Sequence, residues 1–146
     1  MINSKICKIP VRLTKFFEFE ASHHLVNYKG ACERPHGHSY KLYVTVEGIP
    51  VDGLGMVMDF KELKAIVKEQ ILDKVDHYDL NDAMPQEFAM KYTDNTTCEN
   101  MIIAFWYALD HIISENNSSV KLSEIKLYET SSSYATLTRD LVYGGE

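Results

Sequence analysis

Between residues 14 and 23 the chain reads TKFFEFEASH, and its side chains divide by alternation. Phe17, Phe19, Ala21 and His23 fall on one side, Phe16, Glu18, Glu20 and Ser22 on the other. A period of two is that of a half-buried β-strand. The pattern returns in HGHSYKLYVTVEG, where His36, His38, Tyr40, Leu42, Val44 and Val46 share one face and Ser39, Lys41, Tyr43, Thr45 and Glu47 the opposite one. The period then changes. Asp59, with Glu62 three positions on, reads as a helix N-cap, and Leu63, Ile66, Val67, Ile71 and Val75 follow at helical spacing over about four turns. A second helix is expected to open at Thr96, with Glu99 completing a capping box, and to run through ENMIIAFWYALDHII until ENNSS ends it. KLSEIKLYET alternates again, YATLTRDLVYGG is expected to supply a last strand, and GMVMDF offers a further short one.

Strand, strand, helix, helix, strand, strand is an α+β order. It predicts a mostly antiparallel four-stranded sheet with two helices on one face. The other face is left bare although both carry aromatics, so self-association is the expected remedy. With 146 residues, 45% of them hydrophobic, and no repeat, linker or low-complexity tract, the expectation is one domain over residues 1–146.

Charge narrows the partners. A formal net charge of -6 and a pI near 5.5 give no bulk attraction to phosphate backbones or anionic lipid, so neither nucleic acid nor a membrane surface is expected. The most apolar run, MIIAFWYAL, falls well short of the roughly 20 residues that span a bilayer. The first residues, MINSKICKIPVRL, alternate charge with apolar residues and lack the continuous apolar segment of a signal peptide, making the cytoplasm the expected compartment. Cys7, Cys32 and Cys98 are an odd number without framework spacing, which argues against a disulfide scaffold.

The histidines supply the chemistry. His36 and His38 stand two apart on a predicted strand, so their rings share a face. An antiparallel hairpin through residues 24–35 brings His23 back opposite them. Three neutral imidazoles suit Zn2+ and leave a fourth tetrahedral position open, which is the catalytic pattern. The competing reading is that each histidine only hydrogen-bonds to nearby backbone. His24 points to the opposite face and His111 lies among helix residues, so both read as solvated or structural.

Cys32 lies four residues before His36 in a loop with Gly30 and Pro35. Overhanging a dication, its thiolate is a base or nucleophile; ligating the ion, it closes the site. DHYDLND sets Asp76 beside His77, alone a weak signal, since such a pair at a helix end is commonly a cap. Glu129 continues the apolar stripe of Ile125 and Leu127. A carboxylate there is expensive to bury without donors, and a flat heterocycle with two adjacent N–H groups is one natural partner. The alternative is that the strand has ended and Glu129 is wet.

FEFEASHHL, CERPHGHSY, DHYDLND, TTCEN and YET, in this order and over residues 17–130, resemble the 6-pyruvoyl tetrahydropterin synthase family. The three-residue gap between Cys32 and His36 is similar to that of the bacterial 6-carboxytetrahydropterin synthase branch of queuosine (7-deazapurine) biosynthesis. The resemblance implies His23, His36 and His38 as zinc ligands and Cys32 as the proton-abstracting thiol. It further implies Asp76 and His77 as an acid–base dyad, Glu129 as the pterin anchor and part of the proton relay, and Thr97 as a pterin contact. Two positions depart from the family pattern: His24 stands where arginine is common, and Cys98 where serine, threonine or alanine is. Glu33 is a neighbouring alternative to the thiol, since some relatives use glutamate.

The implied substrate is 7,8-dihydroneopterin triphosphate. Its conversion to 6-carboxy-5,6,7,8-tetrahydropterin releases acetaldehyde and triphosphate, whereas the pyruvoyl reaction eliminates triphosphate alone. Arg34, Lys29 and Lys41 are candidates for holding the phosphates. The implied fold is of tunnelling type, with subunits forming a trimeric barrel, two trimers often stacking into a hexamer, and a pocket between subunits where the dyad serves a neighbour's zinc. A rival of another class is a non-catalytic, zinc-stabilised oligomeric binding protein, with Cys32 as fourth ligand. A cyclohydrolase-like enzyme is a third reading, but it needs a water-activating arrangement that is not seen.

Overall fold

The two alternating segments pair as an antiparallel hairpin in the computed structural model, which describes residues 8–51 and 53–144. Cys7 and Gly145 lie outside the described residues. Strands β1 (Val11–His23) and β2 (His36–Gly48) keep register along their whole length, from Val11 opposite Gly48 to His23 opposite His36. A two-residue strand, β3 (Tyr78–Asp79), runs parallel to Ala21 and Ser22 on the outer edge of β1. On the other side β2 pairs antiparallel with β4 (Val120–Thr130), and β4 with β5 (Ser133–Thr138). The order is β3-β1-β2-β4-β5, one strand more than the alternation predicts. The α+β class stands as expected.

Helix α1 covers residues 60–75, with a π-helical turn at Lys68–Leu72 between its α-helical ends. Asp59 caps it by accepting from the Lys61 N–H. Helix α2 (Leu80–Glu87) is capped by Asp79, α3 (Cys98–Asn116) by Thr97, and the short α4 (Arg139–Tyr143) by Thr138. Among the described residues four helices thus stand where two were expected. The long central one starts a residue later than expected, because Thr97, not Thr96, accepts from the Asn100 N–H at 3.2 Å. GMVMDF forms no strand. Val57 and Met58 turn inward instead, and Val57 lies so close to Gly48 that a Cβ there would stand 2.9 Å from its Cγ1. The last predicted strand stops at Thr138, whose hydroxyl diverts the chain into α4.

The helices cover one face of the sheet. Phe17, Phe19, Tyr40, Leu42, Val44, Leu122, Ile125 and Leu127 pack against Leu63, Val67 and Ile71 of α1 and Met101, Phe105, Trp106 and Leu109 of α3. Each such side chain contributes about 1.5–3 kcal/mol by leaving water. The opposite face carries an aromatic row across four strands, with ring centroids 5.5 Å apart for Phe16–Tyr43 and for Tyr43–Tyr128, and 4.3 Å for Tyr128–Tyr134. Phe16 and Tyr134 are about half exposed, so among the described residues nothing covers this face. Among the described residues, no helix is long and apolar enough to cross a membrane.

Candidate metal centre

Because β1 and β2 pair without a bulge, His23 falls directly opposite His36, and His38 follows two residues along the same face. The three ligand-capable nitrogens all lie within 4.8 Å of one another. They stand where the apolar face of the hairpin ends, with Tyr40 beneath and α3 beside them.

The hydrogens on these rings are committed elsewhere. His23 Nδ1 lies 2.9 Å from the Thr96 carbonyl oxygen, and His36 Nδ1 2.8 Å from that of Arg34. A carbonyl only accepts, so each Nδ1 carries the proton and each Nε2 presents a bare lone pair. These two Nε2 atoms face each other at 3.1 Å. Two lone pairs at that distance repel unless a cation or a proton sits between them. Nitrogens bound at about 2.0–2.1 Å to a tetrahedral zinc stand about 3.3 Å apart, so the spacing fits that ion. His38 Nε2 is buried without a hydrogen bond, although Glu129 Oε1 is 3.4 Å away at an angle unsuited to one. The donor set therefore fits a zinc-type cation, which His23, His36 and His38 would hold.

Electrostatics agree with this. Burial disfavours the charged form of His23 and lowers its pKa, outweighing the Thr96 carbonyl and Glu129. His38 is lowered for the same first reason, with His36 adding to it and Glu129 opposing. Neutral imidazole is the form that binds a metal.

Glu129 sits at a bulge where Tyr128 pairs with Tyr134 but Thr130 with Ser133, leaving Glu129 as the extra residue. Bulges re-aim side chains beside functional sites. Its carboxylate is mostly buried and borders a cavity of about 420 Å³ with Cys98, Glu99, Ser133 and Ala135. Cys98 is buried, its thiol donates to the Leu127 carbonyl at 3.1 Å, and desolvation pushes its pKa up to about 11. Thr97, expected to meet the pterin, spends its hydroxyl on capping α3.

The other predicted residues lie outside this group of three rings. Cys32 lies half-buried in a single turn of 3-10 helix, Ala31–Glu33, and does not join the group of ligand atoms. Asp76 and His77 hang from the edge of β1. The Glu20 N–H donates to Asp76 Oδ1 at 3.0 Å, and the His77 N–H donates to the Glu20 carbonyl at 2.6 Å. The His77 ring is 79% exposed, 3.6 Å from Asp76, beside a cleft of about 410 Å³ that Glu20, Ser22, His38, Ser39 and Asp79 also line. Among the described residues no hydrogen bond, ion pair or ring contact joins His77 to the three histidines. His24 is half-buried with an unpartnered Nδ1, and His111 pairs with Glu115 on the exposed side of α3.

Fold and site together define a class: an α+β chain whose antiparallel hairpin carries three imidazoles able to hold a metal ion, next to a recessed carboxylate. The sequence profile of the 6-pyruvoyl tetrahydropterin synthase family matches residues 12–140, and the chain belongs to that family. It is 33% identical to the 6-pyruvoyl tetrahydrobiopterin synthase of Dictyostelium discoideum, over 93% of this chain and 97% of that protein. It is 32% identical to the 6-carboxy-5,6,7,8-tetrahydropterin synthase of Haemophilus influenzae, over 84% and 95% respectively. The solved structure of Caenorhabditis elegans 6-pyruvoyl tetrahydropterin synthase superposes with a TM-score of 0.75 at 28% identity, covering 89% of this chain and 96% of that one.

Sequence reasoning missed Thr96. Read as a helix cap, it is 1% exposed, and both its carbonyl and its hydroxyl approach His23 Nδ1. Nothing in the local pattern separates it from Thr97.

Proposed function

We propose that the protein is a zinc-dependent lyase that converts 7,8-dihydroneopterin triphosphate to 6-carboxy-5,6,7,8-tetrahydropterin, releasing acetaldehyde and triphosphate, on the route to queuosine. The observation that carries the reading is the pair of bare Nε2 atoms of His23 and His36, 3.1 Å apart. Zinc held by His23, His36 and His38 supplies, when bound, a Lewis acid that favours loss of a proton from the substrate side chain. Cys32 takes that proton as general base, and His77, oriented by Asp76, returns protons to the product. Glu129 accepts the two neighbouring N–H groups of the pterin ring in a fork and takes part in the relay, with Thr97 as a further pterin contact.

Among the described residues the dyad makes no direct contact with the three rings, which supports a role across a subunit boundary. His77 and Asp76 serve the metal centre of a neighbouring copy, in a trimer whose barrel covers the bare aromatic face, or in a hexamer of two such trimers. Residues 1–146 act as a single pterin-synthase-like domain, at work in the cytoplasm.

A second reading is the 6-pyruvoyl reaction, favoured by the likeness to the Dictyostelium protein. The carboxy product is preferred because three residues separate Cys32 from His36, a spacing that resembles the carboxy-forming branch. The deciding experiment is incubation of the zinc-loaded protein with 7,8-dihydroneopterin triphosphate, followed by mass analysis. Carboxytetrahydropterin with acetaldehyde supports the proposal; pyruvoyl product without acetaldehyde supports the second reading; unchanged substrate defeats both.

A further inference from the structure

His23 is the last residue of β1, and the backbone pairing that supports β1 from outside ends one residue earlier, at Ser22 opposite Asp79. Although β2 pairs with His23 on the inner side, a ligand whose outer edge has no support is poorly placed to hold a metal. Catalytic and binding side chains need to be held within about 0.5 Å of their working geometry.

Two asparagine side chains continue the missing strand. Asn81 Oδ1 accepts from the His24 N–H at 3.0 Å, and Asn81 Nδ2 donates to the His24 carbonyl at 3.0 Å. Asn95 repeats the exchange two residues on, accepting from the Val26 N–H at 2.6 Å and donating to its carbonyl at 3.1 Å. Each amide exchanges the same two hydrogen bonds that a paired strand residue would. Both are themselves anchored. The Asn81 N–H donates to Asp79 Oδ1 at 2.8 Å, and the Asn95 carbonyl accepts from Asn100 Nδ2 at 2.9 Å.

Thr96 joins this clamp to the ring. Its carbonyl takes the His23 Nδ1 hydrogen, its Oγ1 lies 3.2 Å from the same nitrogen, and that hydroxyl donates to Asn81 Oδ1 at 3.4 Å. Thr96 and His23 are both buried, so water does not substitute for a lost partner.

We infer that Asn81 and Thr96 are positioning residues for the metal centre. Asn81 holds the main chain on the far side of His23 and the hydroxyl that meets its ring, so that Nε2 stays aimed at His36. The inference rests on the metal-centre reading above, yet it concerns residues that do not touch the ion. Loss of a hydrogen-bonding partner behind a ligand typically lowers metal affinity about 10–100-fold.

The test is a zinc titration of the full chain against a chromogenic chelator, with the visible absorption of the Co2+-substituted protein as a report on ligand geometry. Asn81→Ala is expected to bind zinc 10–100-fold more weakly and to alter the Co2+ spectrum, with the far-UV circular dichroism of the metal-free protein unchanged. Thr96→Val should weaken binding about 10-fold or more, and Thr96→Ser should restore most of it. If Asn81→Ala fails to fold, the threonine pair decides, and equal affinities of Thr96→Val and Thr96→Ser overturn the inference. A parent that binds zinc alongside folded variants within threefold of it overturns the positioning role alone. A parent that binds no zinc defeats the metal-centre reading itself.

Discussion

Chelation of the metal is the perturbation whose size follows most directly from the site. The Nε2 atoms of His23 and His36 face each other at 3.1 Å, and the three rings are gathered within reach of one ion. Binding therefore demands little reorganisation, and its free energy passes into stability of the fold. A ligand present at about 100 times its Kd stabilises the native state by about 2.7 kcal/mol. For a chain of this size that raises Tm by about 5–11 °C. The assay is differential scanning fluorimetry with and without a zinc chelator, beside His36→Ala, a half-exposed position whose truncation leaves the core intact. The variant should melt at the same temperature in both conditions.

Acid should act in the same direction on the chelated protein. The pKa values of His23 and His38 are lowered, so below about pH 6.5 the unfolded chain binds more protons than the folded one, and stability falls with pH. Equal melting of the parent with and without chelator, at zinc concentrations that saturate other three-histidine sites, would refute the reasoning about the facing nitrogens.

Three other outcomes are expected. Cys32→Ala should abolish turnover while metal analysis still finds one zinc per chain; loss of the zinc would reassign the thiol as a ligand. His77 has a φ of +66°, a left-handed conformation that asparagine tolerates, so His77→Asn should keep Tm while kcat falls about 10²–10⁴-fold, and an unchanged kcat would remove His77 from proton transfer. Burial pushes the Cys98 thiol up to about 11, so at pH 8 about one thiol in a thousand is ionised. Iodoacetamide should label Cys32 but spare Cys98 in the folded protein, as peptide mass mapping would reveal. Since the folded-state value of Cys98 is raised, its contribution to stability is present below about pH 9 and lost toward pH 11.

What the sequence discloses about this molecule follows the range over which its forces act. Strands β1 and β2 announce themselves because burial on one face imposes a period of two, and an unbroken register converts that period into the juxtaposition of His23 with His36. No period can reveal β3, which is two residues long and exists because Ala21 and Ser22 offer a free edge to the chain leaving α1. GMVMDF carries strand-forming residues, but Val57 and Met58 gain more by filling the core beside Gly48 than an isolated ladder would return. Thr138 looks like a strand residue until its hydroxyl meets the Leu141 N–H. Thr96 and Thr97 are adjacent and chemically identical, yet one caps a helix and the other meets a histidine 73 positions away. The ligands are thus legible in the chain because they share a hairpin, whereas the groups that orient them arrive from α2 and the start of α3. Such long-range support is where a substitution chosen by sequence pattern alone does the most unforeseen harm, and Asn81, lodged in DHYDLND with no periodic role, is the position at which that harm should be measured first.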